Sequence, residues 1–173
     1  ISPCSSHPLR NWQASGYAAV ADHARNRYNM GTIICGGPTP AEQAMANEII
    51  SLCELADPVD LVGKDTFAEF IELLRRARVL LTPDSGPMHM AAITGTPVIG
   101  LHAASNPNRS GPYNSRQFCV DRYDQAARKY LNKPSSDIRW GTKIEFPGVM
   151  DLISVPEVTV MLDRVMNQIQ EEK

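Results

Sequence analysis

The sequence predicts an α/β protein with a Rossmann-like parallel sheet and helices on both of its faces. Three observations carry this prediction. Short apolar runs rich in β-branched residues alternate along the chain with segments of helical periodicity. The runs are apolar without a polar alternation, which is typical of strands buried on both faces. Clusters of glycine, serine, proline and aspartate follow the runs, as the tight connections of β-α units require.

The individual elements follow from these patterns. We expect strands at 1–4, 31–35, 59–62, 78–82, 97–102 and 117–120. We expect helices at 15–28, 41–55, from Thr66 onward, from Pro87 as far as Gly95, and at 157–170. The third helix begins in a capping box, because Glu69 follows Thr66 by three residues. Residues 106–113 are expected to form an ordered loop and 121–148 a loop with a helical turn near 125–130.

Length and composition indicate one domain that spans all 173 residues. The formal net charge of −2 gives no reason to expect nucleic acid as a partner. Four cysteines lie far apart, without C-x-x-C or zinc spacing, so we expect reduced thiols in a cytoplasmic protein. No apolar run reaches the roughly 18 residues that span a bilayer. The chain opens at Ile1 in what reads as strand interior, so we expect it to belong to a longer protein.

The segment 83–92 carries the strongest functional signal. It follows an apolar strand and opens a helix, with Pro87 at the first helical position. This geometry aims unpaired backbone N–H groups and the positive end of the helix dipole at one point, which suits a phosphate. Small, hydroxyl or glycine residues end four successive strands, at 5–6, 36–39, 63–65 and 84–86. We therefore predict a phosphate-bearing ligand at the carboxyl edge of the sheet; ordinary βα-turn chemistry remains the alternative.

Three further segments extend the motif. Gly95-Thr96-Pro97-Val98 follows it, and then come Asn106-Pro107, Arg109 and Gly111-Pro112-Tyr113. In order and spacing this combination resembles the bacterial ADP-heptose:lipopolysaccharide heptosyltransferases, glycosyltransferase family 9. Residues 1–12 and the turn at 36–38 are also similar, so the resemblance covers roughly residues 1 to 113 and the last helix more loosely.

The resemblance implies a GT-B enzyme of two Rossmann-like domains, of which residues 1–173 match the C-terminal, donor-binding domain. The implied reaction transfers heptose from ADP-heptose to a lipopolysaccharide core acceptor, with inversion and without a metal or other cofactor. The N-terminal domain, which in the family binds the acceptor and supplies an aspartate base, has no counterpart here and is an expected partner. We expect the chain alone to bind the donor without transferring the sugar. The expected location is the cytoplasm, or the periphery of the inner face of the bacterial inner membrane.

The resemblance also implies a set of donor-binding residues. These are Ser5, Ser6, Arg10, Thr39, Glu42, Gly63, Lys64, Asp65, Asp84, Ser85, Gly86, Pro87, Met88 and His89. The serines at 5–6 and the backbone of 86–88 would hold the diphosphate, and Arg10 would offset the charge of the leaving group. Thr39 or Glu42 would reach the ribose, and 63–65 would line the base pocket through backbone groups.

Several of these residues have structural alternatives. Arg10 and Lys64 could be solvated surface cations, Glu42 a first-turn acid of its helix, and His89 a packed helical side chain. Asp84 would repel a diphosphate, so we expect it to fix the turn by accepting backbone hydrogen bonds.

Two other classes of protein are alternatives to a glycosyltransferase domain. A serine hydrolase built on Ser85, Asp84 and His89 fails, because the G-x-S-x-G elbow is missing and an Asp beside the Ser cannot orient a His base. The acids at Asp121 and Asp124 are expected to be solvated, so we expect no metal site. A non-catalytic nucleotide-sugar-binding module, or a family member that uses another sugar nucleotide, remains the alternative function.

Overall fold

The computed structural model describes residues 1–171. The helices are α1 (Ala14–Tyr28), α2 (Pro40–Leu52), α3 (Phe67–Arg76), α4 (Gly86–Thr94), α5 (Pro107–Ser110), α6 (Tyr123–Leu131) and α7 (Val155–Glu171). The strands are β1 (Ile33–Ile34), β2 (Val59–Asp60), β3 (Leu80–Pro83), β4 (Val98–His102) and β5 (Val120–Asp121). Within the described residues, no helix is both long and apolar enough to cross a membrane.

All strand pairs are parallel. β1 pairs with β2, with Ile33 opposite Val59. β4 lies between β3 and β5 in a second group, with Leu101 opposite both Pro83 and Val120. Parallel pairing throughout places the carboxyl ends of the strands at one edge, as the predicted fold class requires.

The predicted first strand, residues 1–4, lies between these two groups without forming a regular strand. The Cys35 backbone N–H donates to the Ile1 carbonyl at 2.9 Å on one side. The Ser2 N–H donates to the Leu81 carbonyl at 3.1 Å on the other. Too few bonds form on either side for a regular ladder, so the strand assignment is wrong. The segment nevertheless joins β1 to β3, in the spatial order β2, β1, segment 1–4, β3, β4, β5.

Helices cover both faces of the sheet. On one face α1 packs against α2 and α7, in an apolar cluster that includes Tyr17, Ile49 and Leu162. On the other face α3 packs against α4, in a smaller cluster that includes Leu74 and Met88. The predicted α/β fold class, with helices on both sides of a parallel sheet, is therefore confirmed.

Helices α2 and α3 show what the sequence predicts well and what it does not. The capping box of α3 is present, since the Glu69 carboxylate accepts from the Thr66 N–H at 2.7 Å. Helix α2 ends at Leu52, three residues earlier than expected. The reason lies outside the helix: the Asp22 carboxylate on α1 accepts hydrogen bonds from the backbone N–H groups of residues 54–56. A long-range partner therefore turns the chain out of the helix.

Residues 121–148 hold more regular structure than the expected loop. Helix α6 occupies nine residues, beginning two residues before the predicted helical turn. The Asp121 carboxylate accepts from the Tyr123 N–H at 2.9 Å and so ties down the start of the helix. Asp124 pairs with Arg128 at 2.7 Å and accepts from the Ser135 N–H. Both aspartates therefore serve the helix and its flanking turns.

Candidate functional site

A cavity of about 550 Å³ lies at the carboxyl edge of the sheet. It is lined by residues that follow segment 1–4 and strands β1, β2 and β3, so all four predicted strand-end loops meet there. The predicted site residues among its lining are Ser5, Ser6, Glu42, Asp65, Ser85, Gly86 and Pro87. Phe67, Phe70 and Met90 supply an apolar wall. A polar floor beside an apolar wall is typical of a small-molecule site.

The first turn of α4 opens onto this cavity. Ser85 is the N-cap residue, but its hydroxyl lies 2.8 Å from the Thr82 hydroxyl and makes no cap bond to the helix. The first-turn N–H groups therefore have no side-chain cap. Gly86 is exposed, and a Cβ there would meet only the Met90 Cε, at 3.8 Å. Pro87 follows it in the first turn.

The next two residues of α4 point elsewhere. Met88 is fully buried in the smaller apolar cluster, so only its backbone can face a ligand. His89 is exposed and does not line the cavity. Because Ser85 bonds Thr82 and His89 is solvent-exposed, the structure assembles no serine-hydrolase triad.

The turn after β1 is built around Glu42. The Thr39 hydroxyl caps α2 by accepting from the Glu42 N–H at 3.2 Å. The Glu42 carboxylate reaches back and accepts from the Gly37 N–H at 2.7 Å. A Cβ on Gly36 would lie 2.4 Å from the Glu42 Oε2, so a larger residue there would displace this carboxylate from the Gly37 N–H. Of the two ribose candidates, Glu42 lines the cavity and Thr39 does not.

The turn after β2 contains three predicted site residues, Gly63, Lys64 and Asp65, and only one of them lines the cavity. Gly63 has a φ of +67°, and a Cβ there would lie 2.9 Å from the Pro38 Cα, so glycine is structurally required. The Lys64 ammonium lies 2.7 Å from the Asp60 carboxylate and does not line the cavity. Asp65 does line it, and its Oδ2 is buried without a hydrogen-bond partner among residues 1–171. An unpartnered buried carboxylate oxygen is costly unless a ligand donates to it.

The loop at 5–12 places Arg10 beside the cavity, where it contacts the lining residue Ser6 without lining the cavity itself. Ser5 shapes this loop, because its N–H donates to the Asn11 side chain and its hydroxyl to the His7 carbonyl. The Arg10 Nη2 donates to the Ser6 hydroxyl at 2.6 Å. Only 14% of the Arg10 side chain is exposed, so it is not a solvated surface cation.

Asp84 is a buried carboxylate beside this arginine. It accepts a short hydrogen bond from the Lys143 ammonium and one of 3.0 Å from the Ser110 hydroxyl. The Arg10 Nη1 lies 4.0 Å from the same oxygen. Burial acts to raise the pKa of Asp84, but the hydrogen bond and charge of Lys143, with the Ser105 and Ser110 hydroxyls, outweigh it, so the pKa lies below its ordinary value.

Three residues that the sequence did not indicate, Ser110, Lys143 and Glu145, contact Asp84 or Arg10 beside the cavity. The Glu145 carboxylate lies 3.2 Å from the Arg10 Nε. Between the two charged residues, Ile144 is fully buried, and its N–H donates to the Ala104 carbonyl just beyond β4. The alternation of charged, apolar and charged residues at 143–145 was the available signal, because it is the pattern of an extended segment with one buried side.

A second, larger cavity of about 850 Å³ lies at the opposite edge of the sheet. Its lining includes Gly31 and Thr32, which precede β1, and residues 77–79, which precede β3. Ligands of open parallel sheets bind at the carboxyl edge. The smaller cavity, at the carboxyl edge, is therefore the candidate site.

The fold and this edge define a Rossmann-like domain with a ligand cavity at the carboxyl ends of its parallel strands. The sequence profile of glycosyltransferase family 9 (heptosyltransferase) matches residues 1–139. The chain belongs to this family. It is 39% identical to the lipopolysaccharide core heptosyltransferase OpsX of Haemophilus influenzae, over 158 residues that make up 91% of this chain and 45% of the relative.

Solved structures have the same fold. E. coli ADP-heptose lipopolysaccharide heptosyltransferase II matches 99% of this chain and 46% of its own, with a TM-score of 0.73 and 20% identity. E. coli heptosyltransferase WaaC, solved with ADP, matches 95% of this chain and 42% of its own, with a TM-score of 0.69 and 14% identity. The chain therefore spans under half the length of the proteins it resembles, consistent with the C-terminal domain of a GT-B enzyme.

Proposed function

We propose that this chain is the donor-binding domain of an enzyme that transfers heptose from ADP-heptose to a lipopolysaccharide core acceptor. The observation that carries the proposal is the uncapped first turn of α4 at the cavity, with the Arg10 guanidinium beside it on the lining residue Ser6. Both features attract the phosphates of a nucleoside diphosphate. Family membership and the 39% identity to a lipopolysaccharide core heptosyltransferase support heptose as the sugar and lipopolysaccharide as the acceptor.

The proposed pose follows the order of the strand ends. The diphosphate lies against the first turn of α4, beside Ser6 and Arg10. The ribose lies toward Glu42, whose oxygens keep lone pairs free beside the bond from Gly37. The base lies toward Asp65, between the turn after β2 and the apolar wall. Lys64 and Thr39 stay outside this pose, because the Lys64 ammonium pairs with Asp60 and the Thr39 hydroxyl caps α2.

The proposed reaction is a direct displacement that inverts the anomeric carbon. An acceptor hydroxyl oxygen bonds to that carbon while the bond from the carbon to the diphosphate oxygen breaks. The hydroxyl proton passes to a carboxylate base on the N-terminal domain, which is the proposed partner. The first turn of α4 and the Arg10 guanidinium offset the negative charge that develops on the departing ADP, so we propose no step through a metal ion. The enzyme would act in the cytoplasm or at the inner face of the inner membrane, where its donor is soluble and its acceptor is a lipid.

Calorimetric titration with ADP, ADP-heptose, UDP and a UDP-sugar tests the proposal. We expect saturable binding of the adenine nucleotides and weaker binding of the uridine nucleotides. Arg10→Ala should weaken ADP binding roughly 10- to 100-fold, because a charge-assisted phosphate contact is lost. Arg75→Ala, an exposed arginine on α3, is the matched control and should leave affinity unchanged. Preferential binding of uridine nucleotides would assign another donor, and no saturable binding would contradict a donor-binding role.

A further inference from the structure

Two charged residues beside the cavity, Lys143 and Glu145, lie outside residues 1–139, the part of the chain that the family profile matches. Lys143 contacts Asp84, and Glu145 contacts Arg10. Two cations and two carboxylates therefore form one charged wall beside the cavity, next to the lining residues Ser6 and Ser85. The role inferred for this wall rests on the proposed function, because it concerns the binding of a diphosphate.

We infer that Lys143 is a positioning residue of the donor site, which neutralises the buried Asp84 carboxylate so that a diphosphate can bind beside it, while Glu145 orients Arg10. Asp84 immediately precedes Ser85, the N-cap of α4, and is only 8% exposed. A lone carboxylate in this position would repel the ligand that the helix terminus attracts. Its charge would also be buried without compensation. The Lys143 ammonium removes both penalties through one contact.

The backbone of 143–145 explains why the lysine is held there. Ile144 is fully buried, and its N–H donates to the Ala104 carbonyl at 2.8 Å. This anchor fixes the segment beside the end of β4. In an extended segment the neighbours of a buried side chain both face the other way. Lys143 and Glu145 therefore reach the same charged wall from one anchored backbone.

Glu145 completes the arrangement by acting on Arg10. The Arg10 Nε lies 3.2 Å from the Glu145 carboxylate, and the Nη1 lies 4.0 Å from Asp84. The Nη2 donates to the Ser6 hydroxyl, which lines the cavity. Carboxylates therefore lie near two edges of the planar guanidinium, and its third edge contacts the cavity-lining Ser6.

A comparison of ADP with adenosine separates this role from a purely structural one. Adenosine lacks the phosphates, so neutralisation of Asp84 should not affect its binding. We expect Lys143→Met to weaken ADP binding about tenfold at low salt, as estimated from one unscreened charge near the diphosphate, and to leave adenosine affinity unchanged. The ADP loss should shrink at high salt, because screening reduces the repulsion. Lys143→Arg should keep most of the affinity, and Lys133→Met, an exposed lysine after α6, is the matched control.

A double variant keeps the test decisive if Lys143→Met lowers stability. Lys143→Met combined with Asp84→Asn removes both charges and should restore ADP affinity to within about threefold of that of the unsubstituted chain. Equal losses for ADP and adenosine, or no recovery in the double variant, would overturn the inference while leaving the proposed function standing. No binding of ADP by the unsubstituted chain would overturn both.

Discussion

The Glu42 carboxylate accepts a hydrogen bond from the backbone N–H of Gly37, at 2.7 Å, and a Cβ on Gly36 would lie 2.4 Å from it. One side chain of α2 thus holds the turn after β1 in shape. The same carboxylate lines the cavity, so it can both support the turn and accept hydroxyl groups from a ligand.

Glu42 should therefore be required for recognition of the ribose hydroxyls. The unsubstituted chain should bind ADP more tightly than 2′,3′-dideoxy-ADP, and Glu42→Ala should remove this preference. The variant should also lose about 1–2 kcal/mol of stability, because the Gly37 N–H loses its partner. Titration with both nucleotides, together with urea unfolding, measures the two effects. Glu48→Ala, an exposed glutamate of the same helix, should change neither. A preference for ADP that survives in Glu42→Ala would contradict the ribose assignment.

Asp65 should contribute to recognition of the base. Asp65 lines the cavity, its buried Oδ2 has no hydrogen-bond partner among residues 1–171, and in the proposed pose adenine presents its exocyclic amine to this residue. We expect the unsubstituted chain to bind ADP more tightly than inosine diphosphate, which carries a carbonyl in place of that amine. Asp65→Ala should bring the two affinities within about threefold of each other, since the pair of ligands differs by one hydrogen bond. An unchanged preference in the variant would show that the amine contacts another group.

Gly86 and Gly63 provide a matched pair of substitutions. Gly86→Val should change stability by less than about 1 kcal/mol, because a Cβ there meets only the Met90 Cε, at 3.8 Å. It should nevertheless weaken ADP binding, since the side chain would stand where the diphosphate approaches the backbone. Gly63→Val should instead lower the free energy of unfolding by about 1–3 kcal/mol, because φ is +67° and the added Cβ would lie 2.9 Å from the Pro38 Cα. Urea unfolding and ADP titration of both variants check these opposite outcomes. Undiminished ADP binding by a folded Gly86→Val variant would rule out the phosphate turn.

His102 should make folding sensitive to mild acid. Burial lowers its pKa from 6.5 to about 4, although the Asp84 charge acts in the opposite direction. Between these values the unfolded chain binds a proton that the folded chain does not, so stability falls as pH falls. The contribution of this group between pH 7 and pH 5 is about 2 kcal/mol. His102→Gln should reduce the pH dependence of urea unfolding by about this amount. An identical pH dependence in the two proteins would contradict the account.

The sequence predicted the elements whose signals are local. The capping box at Thr66, the helix start predicted at Pro87 and observed one residue earlier, and the apolar strands all depend on residues within one turn or one strand of each other. The predictions failed where a distant group determines the local structure. The Asp22 carboxylate ends α2 early, and segment 1–4 bonds to strands on both sides without forming a regular ladder. Local propensity contains no information about such partners.

The candidate site shows the same division. The strand-end loops could be predicted to meet, because parallel strands place their carboxyl ends at one edge. The sequence predicted that Asp84 accepts backbone hydrogen bonds, but its donors are the side chains of Ser110 and Lys143, and Lys143 compensates its charge. That partner, Lys143, lies 59 positions along the chain, in a segment whose two-residue alternation is too short to stand out from the surrounding polar sequence. Lys64, by contrast, belongs to a predicted strand-end loop, but its ammonium pairs with the Asp60 carboxylate and the residue does not line the cavity.

The central claim is that a diphosphate binds at the first turn of α4, and mapping of backbone amide shifts in the ¹⁵N-labelled chain during titration with ADP tests it most directly. The account predicts that the largest shifts occur at Ser6, Gly37, Gly86 and Met88, around the 550 Å³ cavity. Shifts confined to Gly31 and residues 77–79, around the 850 Å³ cavity at the opposite edge, would contradict it.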